Sequence, residues 1–246
     1  MFIIAIIIIV LIIYFAIKAQ EVDNTVNKYD YPKVEKKPRP AYTETPKKEI
    51  FNTYSSKAVF IDTETTGLNK EDEFIEITAI LTEFDKQGNL NILDEYTGLR
   101  QPRVKINPKA QKVHGITKEK LEGKRIDEDK LLSIITQSDF IVAHNATFDK
   151  RFVLKEFGWF KNKKWLCSMN GIKWQKLGFK SKGLQNLLVD HNIEVEKAHR
   201  TRDDVLAMIN LLNCKATPKT TYFNQLLRNN RIRQKDIVFE EITKSI

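Results

Sequence analysis

Cysteine is scarce in this sequence: of 246 residues, only Cys167 and Cys214 carry a thiol. They lie far apart and form no short-spaced pair, which argues against a disulfide framework and a structural zinc site. The pattern fits a reducing compartment. Acids are the minority charge, 32 Asp and Glu against 41 Lys and Arg, for a formal charge of +9. That excess suits polyanionic partners and bears on association rather than fold. There is no internal repeat. The length holds one full domain plus extensions.

Charge is missing altogether from Met1 to Ile17, and Lys18 is the first ionised side chain. As a helix this run would extend roughly 25 Å, within the lower range for crossing a bilayer. Tyr14 suits an interface, and Lys18 can snorkel. A cleaved signal peptide would start with basic residues, and none precedes the run; Ala16-Ile17-Lys18-Ala19 is also a poor cleavage site. A core helix is the other alternative, but a terminal run apolar on every face rarely docks that way. Residues 1–18 are therefore expected to be a single-pass transmembrane anchor with membrane lipid as its partner. Lys18, Lys28, Lys33, Lys36, Lys37 and Arg39 follow the run, which places the rest of the chain on the cytoplasmic side.

Residues 19–56 read as a flexible linker. The stretch YDYPKVEKKPRPAYTETPKKE holds four of the seven prolines, mixed charge and no apolar period. Such a segment cannot bury enough apolar surface to fold, although its cations could touch anionic lipid heads. From Lys57 the pattern becomes globular. Strands are expected at Ala58–Ile61, Phe74–Phe84, Ile92–Leu99 and Phe140–Ala143. Helices are expected after His114-Gly115, over Asp127 to about Gln137, from Phe148 to Phe157, near Leu184–Asp190 and over Thr201–Asn213. Strands followed by helices alternating with strands predict an α/β sheet covered by helices over 57–214. Residues 215–246 read as a basic tail, partly helical.

Three motifs carry candidate chemistry. VFIDTETTGL (59–68) places Asp62 and Glu64 two residues apart on a strand, hence on one face. Alone they would repel, and one would take up a proton; a hard divalent cation removes the conflict. In IVAHNATFDKRFV (141–153) an apolar strand runs into His144-Asn145, and Asp149 opens a helix. In AHRTRDDVLAMINLL (198–212) His199 precedes a helix bearing Asp203 and Asp204. Taken singly, each has a bland explanation: a solvated strand end, an acid complementing a helix dipole, a surface histidine.

Taken together, in this order, the motifs resemble the DEDDh family of 3′–5′ exonucleases, which includes the proofreading subunit of bacterial replicative polymerases. The resemblance covers about residues 57–214. It takes in Thr65-Thr66-Gly67-Leu68, Val113-His114-Gly115-Ile116-Thr117 and Trp165-Leu166-Cys167-Ser168-Met169 as softer features. It implies an RNase H-like mixed sheet flanked by helices. Asp62, Glu64, Asp149 and Asp204 would hold two divalent cations, Mg²⁺ or Mn²⁺, with His199 as general base. Thr65, Leu68 and His114 would hold the terminal nucleotide. On a continuous helix five residues turn roughly 140°, so His199 would share a face with Asp203 rather than Asp204. The family spacing and the helix geometry agree if His199 lies in the loop ahead of the helix.

The activity implied is hydrolysis of single-stranded nucleic acid from a free 3′ end to nucleoside 5′-monophosphates, with DNA favoured over RNA. A polymerase-bound proofreading subunit and a non-catalytic nucleic-acid-binding scaffold at the membrane are the alternatives. Residues 159–182 hold seven lysines, all three tryptophans and no acid, as a strand-binding surface would. Within it Trp165 reads as core and Trp174 as a candidate for stacking on bases.

Overall fold

The computed structural model describes residues 56–195 and 198–232. The expected anchor, almost all of the expected linker and the end of the chain lie outside the described residues. Among the described residues, no helix is long and apolar enough to cross a membrane.

The fold is organised by β1 (Ser56–Thr65), whose residues up to Ile61 are almost wholly buried. It pairs antiparallel with β2 (Phe74–Phe84) on one side and parallel with β4 (Phe140–Ala143) on the other. With β3 (Leu90–Leu99) and β5 (Lys164–Cys167) the sheet runs β3-β2-β1-β4-β5. The first three strands are joined as an antiparallel meander. The last two are parallel to β1, as strands reached by crossovers must be.

Because side chains alternate along β1, each face of the sheet takes its own cover. Ala58 and Phe60 pack with α6 (Leu184–Asp190), α7 (Thr201–Asn213) and α8 (Tyr222–Asn229). Val59 and Ile61 pack with α3 (Glu128–Thr136) and α4 (Ala146–Glu156). Two short helices, α1 (Pro108–His114) and α2 (Lys118–Leu121), lie between β3 and α3. The four-residue α5 (Ser168–Gly171) follows β5. A two-stranded ribbon, β6 (Lys215–Thr217) and β7 (Thr220–Thr221), precedes α8.

Most expected elements are present within a residue or two of their expected bounds. The sequence reading passed over α1 and β5, both too short to show a period. The larger difference concerns 215–232. A basic tail was expected there, yet Tyr222, Phe223, Leu226 and Leu227 are buried in the same cluster as Phe60 and Val142. Phe223 meets Phe84 edge-on with ring centroids 5.0 Å apart. Thr221 caps α8 by accepting from the Asn224 N–H, and its hydroxyl donates to the Gly88 carbonyl 2.9 Å away. The helix is amphipathic, and its apolar face closes the core. Replacing Phe223 by Ala should therefore cost about 3–5 kcal/mol, as aromatic truncation in a core does. Chemical denaturation of the full chain measures it, and a change under about 1 kcal/mol would mean that α8 is only a surface attachment.

Candidate active site

Strand β1 delivers two carboxylates at its end. Asp62 and Glu64 continue the face on which Ala58 and Phe60 meet α7, so they point toward the start of that helix. Asp204 lies in its first turn and is buried. Oxygens of Asp62, Glu64 and Asp204 all lie within 4.8 Å of one another. A register shift between Glu64 and Thr65 ends the regular pairing with β2. Such an irregularity bends a strand and re-aims its side chains.

Asp149 approaches from the other face. Thr63, between the two acids, points toward the side covered by α4, and its hydroxyl donates to Asp149 Oδ1 at 2.9 Å. Asp149 is almost wholly buried. It does not join the trio of oxygens. Of the neighbouring carboxylates, though, it has the largest effect on Asp62. Asp62 is thus common to two groupings, one with Glu64 and Asp204 and one with Asp149.

The electrostatics follow from this crowding. Burial pushes the Asp62 carboxyl well above the usual range, and the charges of Asp149, Glu64 and Asp204 push it further. Burial, then Asp204 and Glu76, raise Glu64 to about 8. Burial raises Asp149 to about 7, against the hydrogen bond from Thr63. Burial also raises Asp204, partly offset by His199. Without a counter-charge the cluster holds protons at neutral pH.

The two oxygens of Asp204 are oriented by separate donors. Gln185 Nε2, from α6, reaches Oδ1 at 2.9 Å, and the His199 backbone N–H reaches Oδ2 at 3.1 Å. His199 lies ahead of α7, exposed, with φ at +63°. This left-handed conformation is unfavourable for a residue with a β-carbon, and the surroundings hold it in place. Arg200 pairs with the buried Glu76 of β2, which also accepts from the Thr201 N–H at 3.2 Å. The Thr201 and Thr78 hydroxyls lie 2.7 Å apart. The conflict between helix geometry and the five-residue spacing therefore disappears: Asp204 is in the trio, and the half-buried Asp203 is not.

Gln185, Glu76, Arg200 and Thr63 were missed in the sequence. Glu76 could have been noticed as an acid inside the apolar run FIEITAILTEF; it pairs in register with Glu64. Gln185 has no local signal.

The expected nucleotide-binding residues border the cluster. Leu68 is 74% exposed, and Thr65 is buried with its hydroxyl donating to the Gly67 carbonyl at 2.7 Å. A Cβ at Gly67 would lie 2.6 Å from Asp72 Oδ2, so a larger residue there would displace the Asp72 carboxylate, which accepts from the Thr66 hydroxyl and the Asn69 N–H. From α4, Arg151 donates to the Leu68 carbonyl and Lys155 to those of Lys70 and Asp72. The helix carrying Asp149 thus also holds the loop carrying Leu68. His114 is buried, and its Nδ1 accepts from the Ile116 N–H at 3.0 Å. The proton then sits on Nε2, beside the Thr65 backbone but with no acceptor in good geometry. Burial lowers the His114 pKa, keeping the ring neutral.

One expectation is corrected. Trp174 is 1% exposed, and its indole N–H donates to the Ser168 carbonyl at 2.9 Å. Its ring packs against Tyr222 and Phe179, so it cannot stack on bases. Trp165 packs partly buried against the α4 side of the core, as expected.

The family model described as Exonuclease (RNase_T) matches residues 59–212, which hold every residue of this cluster. The chain belongs to this exonuclease family. DNA polymerase III subunit epsilon of Treponema pallidum is 32% identical over 165 residues, 61% of this chain and 72% of that protein. DNA polymerase III PolC-type of Thermotoga maritima is 38% identical over 121 residues, 48% of this chain but only 8% of that much longer protein. The fold is similar to part of Escherichia coli exonuclease I, solved as a zinc-bound complex with single-stranded DNA. The TM-score is 0.53 at 19% identity, covering 74% of this chain and 42% of that one.

Two divalent cations are the cofactors of this family, and the donor set fits them. Asp62, Glu64 and Asp204 offer hard oxygens only, and Arg200 and His199 relieve their raised carboxyls only in part. A pH test follows. The folded-state pKa values are raised, so the stability they bring is complete below about pH 4 and is lost as pH rises through them. His144, lowered by burial to about 4, acts oppositely, but only below about pH 6.5. In EDTA, the melting temperature of the full chain should therefore fall between about pH 6.5 and 8.5. Mn²⁺ should restore more of it at the upper end than at the lower. A profile in EDTA that stays flat across this window would contradict the proton-holding cluster.

Proposed function

We propose that this protein is a metal-dependent 3′–5′ exonuclease. It acts on single-stranded nucleic acid, with DNA favoured over RNA, and releases nucleoside 5′-monophosphates. The observation that carries the reading is the meeting of Asp62, Glu64 and Asp204 at the end of the central strand, with Asp149 behind and His199 in front.

Divalent cations bound by these carboxylates would supply charge neutralisation at the scissile phosphate and a lowered pKa for the attacking water. Asp62, Glu64 and Asp204 would hold them, with Asp149 set against Asp62 from the far side. Gln185 and the His199 N–H keep Asp204 turned inward. The His199 imidazole, exposed on its turn, accepts the proton of the water that attacks phosphorus. The bond to the 3′ oxygen of the preceding nucleotide breaks, and that oxygen takes up a proton. Leu68 offers an apolar surface to the terminal bases. The neutral His114 offers its Nε2 proton to the terminal sugar, and Thr65 lines the same edge.

Residues 1–18 would tether the enzyme in a membrane with its catalytic part on the cytoplasmic side. This rests on the uncharged run alone. A second reading, a proofreading subunit bound to a polymerase, is favoured by the similarity to the epsilon subunit of T. pallidum. Co-purification of a polymerase with the intact chain would distinguish it.

The central test is incubation of the full chain, in detergent, with 5′-labelled single-stranded DNA or RNA and Mg²⁺. A ladder shortening from the 3′ end is expected, and EDTA should abolish it. Asp62→Ala should remove activity; His199→Ala should lower kcat by about a hundredfold or more, the usual size of a lost general base. Full activity of Asp62→Ala would sink the proposal. For the tether, alkaline carbonate extraction should leave the chain in the membrane pellet; release into the supernatant would refute the anchor.

A further inference from the structure

Resting on the exonuclease reading, we infer that the loop Lys173–Gly183 is a rail for the phosphates of the substrate strand upstream of the nucleotide being removed. The 33 residues between Glu156 and Asp190 contain no acid. Within this loop Lys173, Lys176 and Lys180 are exposed. Some exposed cations elsewhere among the described residues are matched, Lys130 by Asp94, Arg202 by Glu95, Arg103 by Glu73 and Glu156, while others such as Lys120 and Lys124 are not. The lysines of this loop are set apart by the acid-free stretch that carries them. Among the described residues, Lys173, Lys176 and Lys180 take part in no ion pair.

The loop is not a loose charged flap. Trp174 fixes its start in the core through the Ser168 carbonyl. Gly178, at φ +96°, turns the chain, and the Phe179 ring stacks on His191 with centroids 4.8 Å apart. His144 donates from Nε2 to the Lys182 carbonyl at 2.8 Å, which makes its Nδ1 the acceptor of the Ser168 hydroxyl. The aromatics of this stretch therefore hold the backbone, and the lysines alternate with them outward. Cations presented on a fixed backbone lose less freedom on binding than cations on a mobile one.

The loop also ends at the active site. Lys182 Nζ reaches Asn170 Oδ1, and three residues later Gln185 donates to Asp204. A strand whose 3′ end lies in the carboxylate cluster meets this wall with its next phosphates. Unpaired lysines there supply the sequence-independent attraction that a strand of arbitrary sequence needs. An anionic membrane would meet the same charges, but nothing would tie it to the carboxylate cluster. The strand is the occupant we assign.

The test uses the full chain in detergent with Lys173→Gln, Lys176→Gln and Lys180→Gln combined, and the matching triple Lys→Arg variant. The probe is a fluorescent single strand of about 20 nucleotides, longer than the roughly 4–16 nucleotides one binding module covers. Binding is measured in EDTA, so that nothing is cut. The Gln triple should bind at least about tenfold more weakly. Its slope of log affinity against log salt should shrink by about 2, since each lost phosphate contact removes about 0.7 on single strands. The Arg triple should bind as the parent does, and with Mg²⁺ the Gln triple should show a raised KM. Equal affinity and slope for the parent and the Gln triple overturn the rail, while parental cutting leaves the exonuclease reading intact. So does a Gln triple that keeps strand binding but loses affinity for phosphatidylglycerol vesicles, which would make the loop a membrane surface. A parent chain that cuts nothing with Mg²⁺ overturns the exonuclease reading, and this inference with it.

Discussion

Like charges forced together at the end of a buried strand are the constraint around which this molecule is built. Asp62 and Glu64 cannot avoid each other, because period-two geometry puts them on one face. The fold adds a third carboxylate from α7 and a fourth from α4, and so deepens the repulsion. Such an arrangement persists only because the apolar cores on both sides of the sheet fix the elements that carry it. Those cores place Phe60 against α8 and Val59 and Ile61 against α3 and α4. Packing energy thereby holds an electrostatic conflict that a bound cation would resolve.

Two of the reactive carboxylates are held by groups with no reactive part of their own. Thr63 fixes Asp149, and Gln185 fixes Asp204. The unfavourable turn at His199 is secured by the Asp204 carboxylate and by the Arg200–Glu76 pair. Glu76 is itself buried beside the cluster, and Arg200 keeps its charge from standing alone. Arg151 and Lys155 tie the Leu68 loop to the helix that bears Asp149. A shift of α4 would therefore move an acid and the nucleotide-facing loop together.

The region beyond the family match shows how a charged composition can mislead. The segment after Cys214 is rich in basic and amide side chains, yet its apolar residues recur at helical spacing, and the core has room for them. Tyr222 also bridges to the lysine-bearing wall, since its hydroxyl lies 3.1 Å from His191 Nε2 and His191 stacks on Phe179. The end of the described chain thus braces the loop assigned to substrate phosphates.

The sequence by itself determined four of the five strands of the main sheet, the main helices and the identity of the acids. Those signals are local: alternation in FIEITAILTEF, an apolar run ending in Asp62 and Glu64, a histidine five residues before Asp204. Periodicity reports which face a residue takes, and a motif reports which residue types are present. Neither reports what meets that face. The tertiary structure alone decided that Trp174 is a buried post and that Phe223 completes the core. It alone set Asp149 against Asp62 from the opposite side of the sheet and gave Asp204 its donor in Gln185. Each of these depends on contacts between residues remote in the chain, and burial at such contacts is a property of the packed chain as a whole.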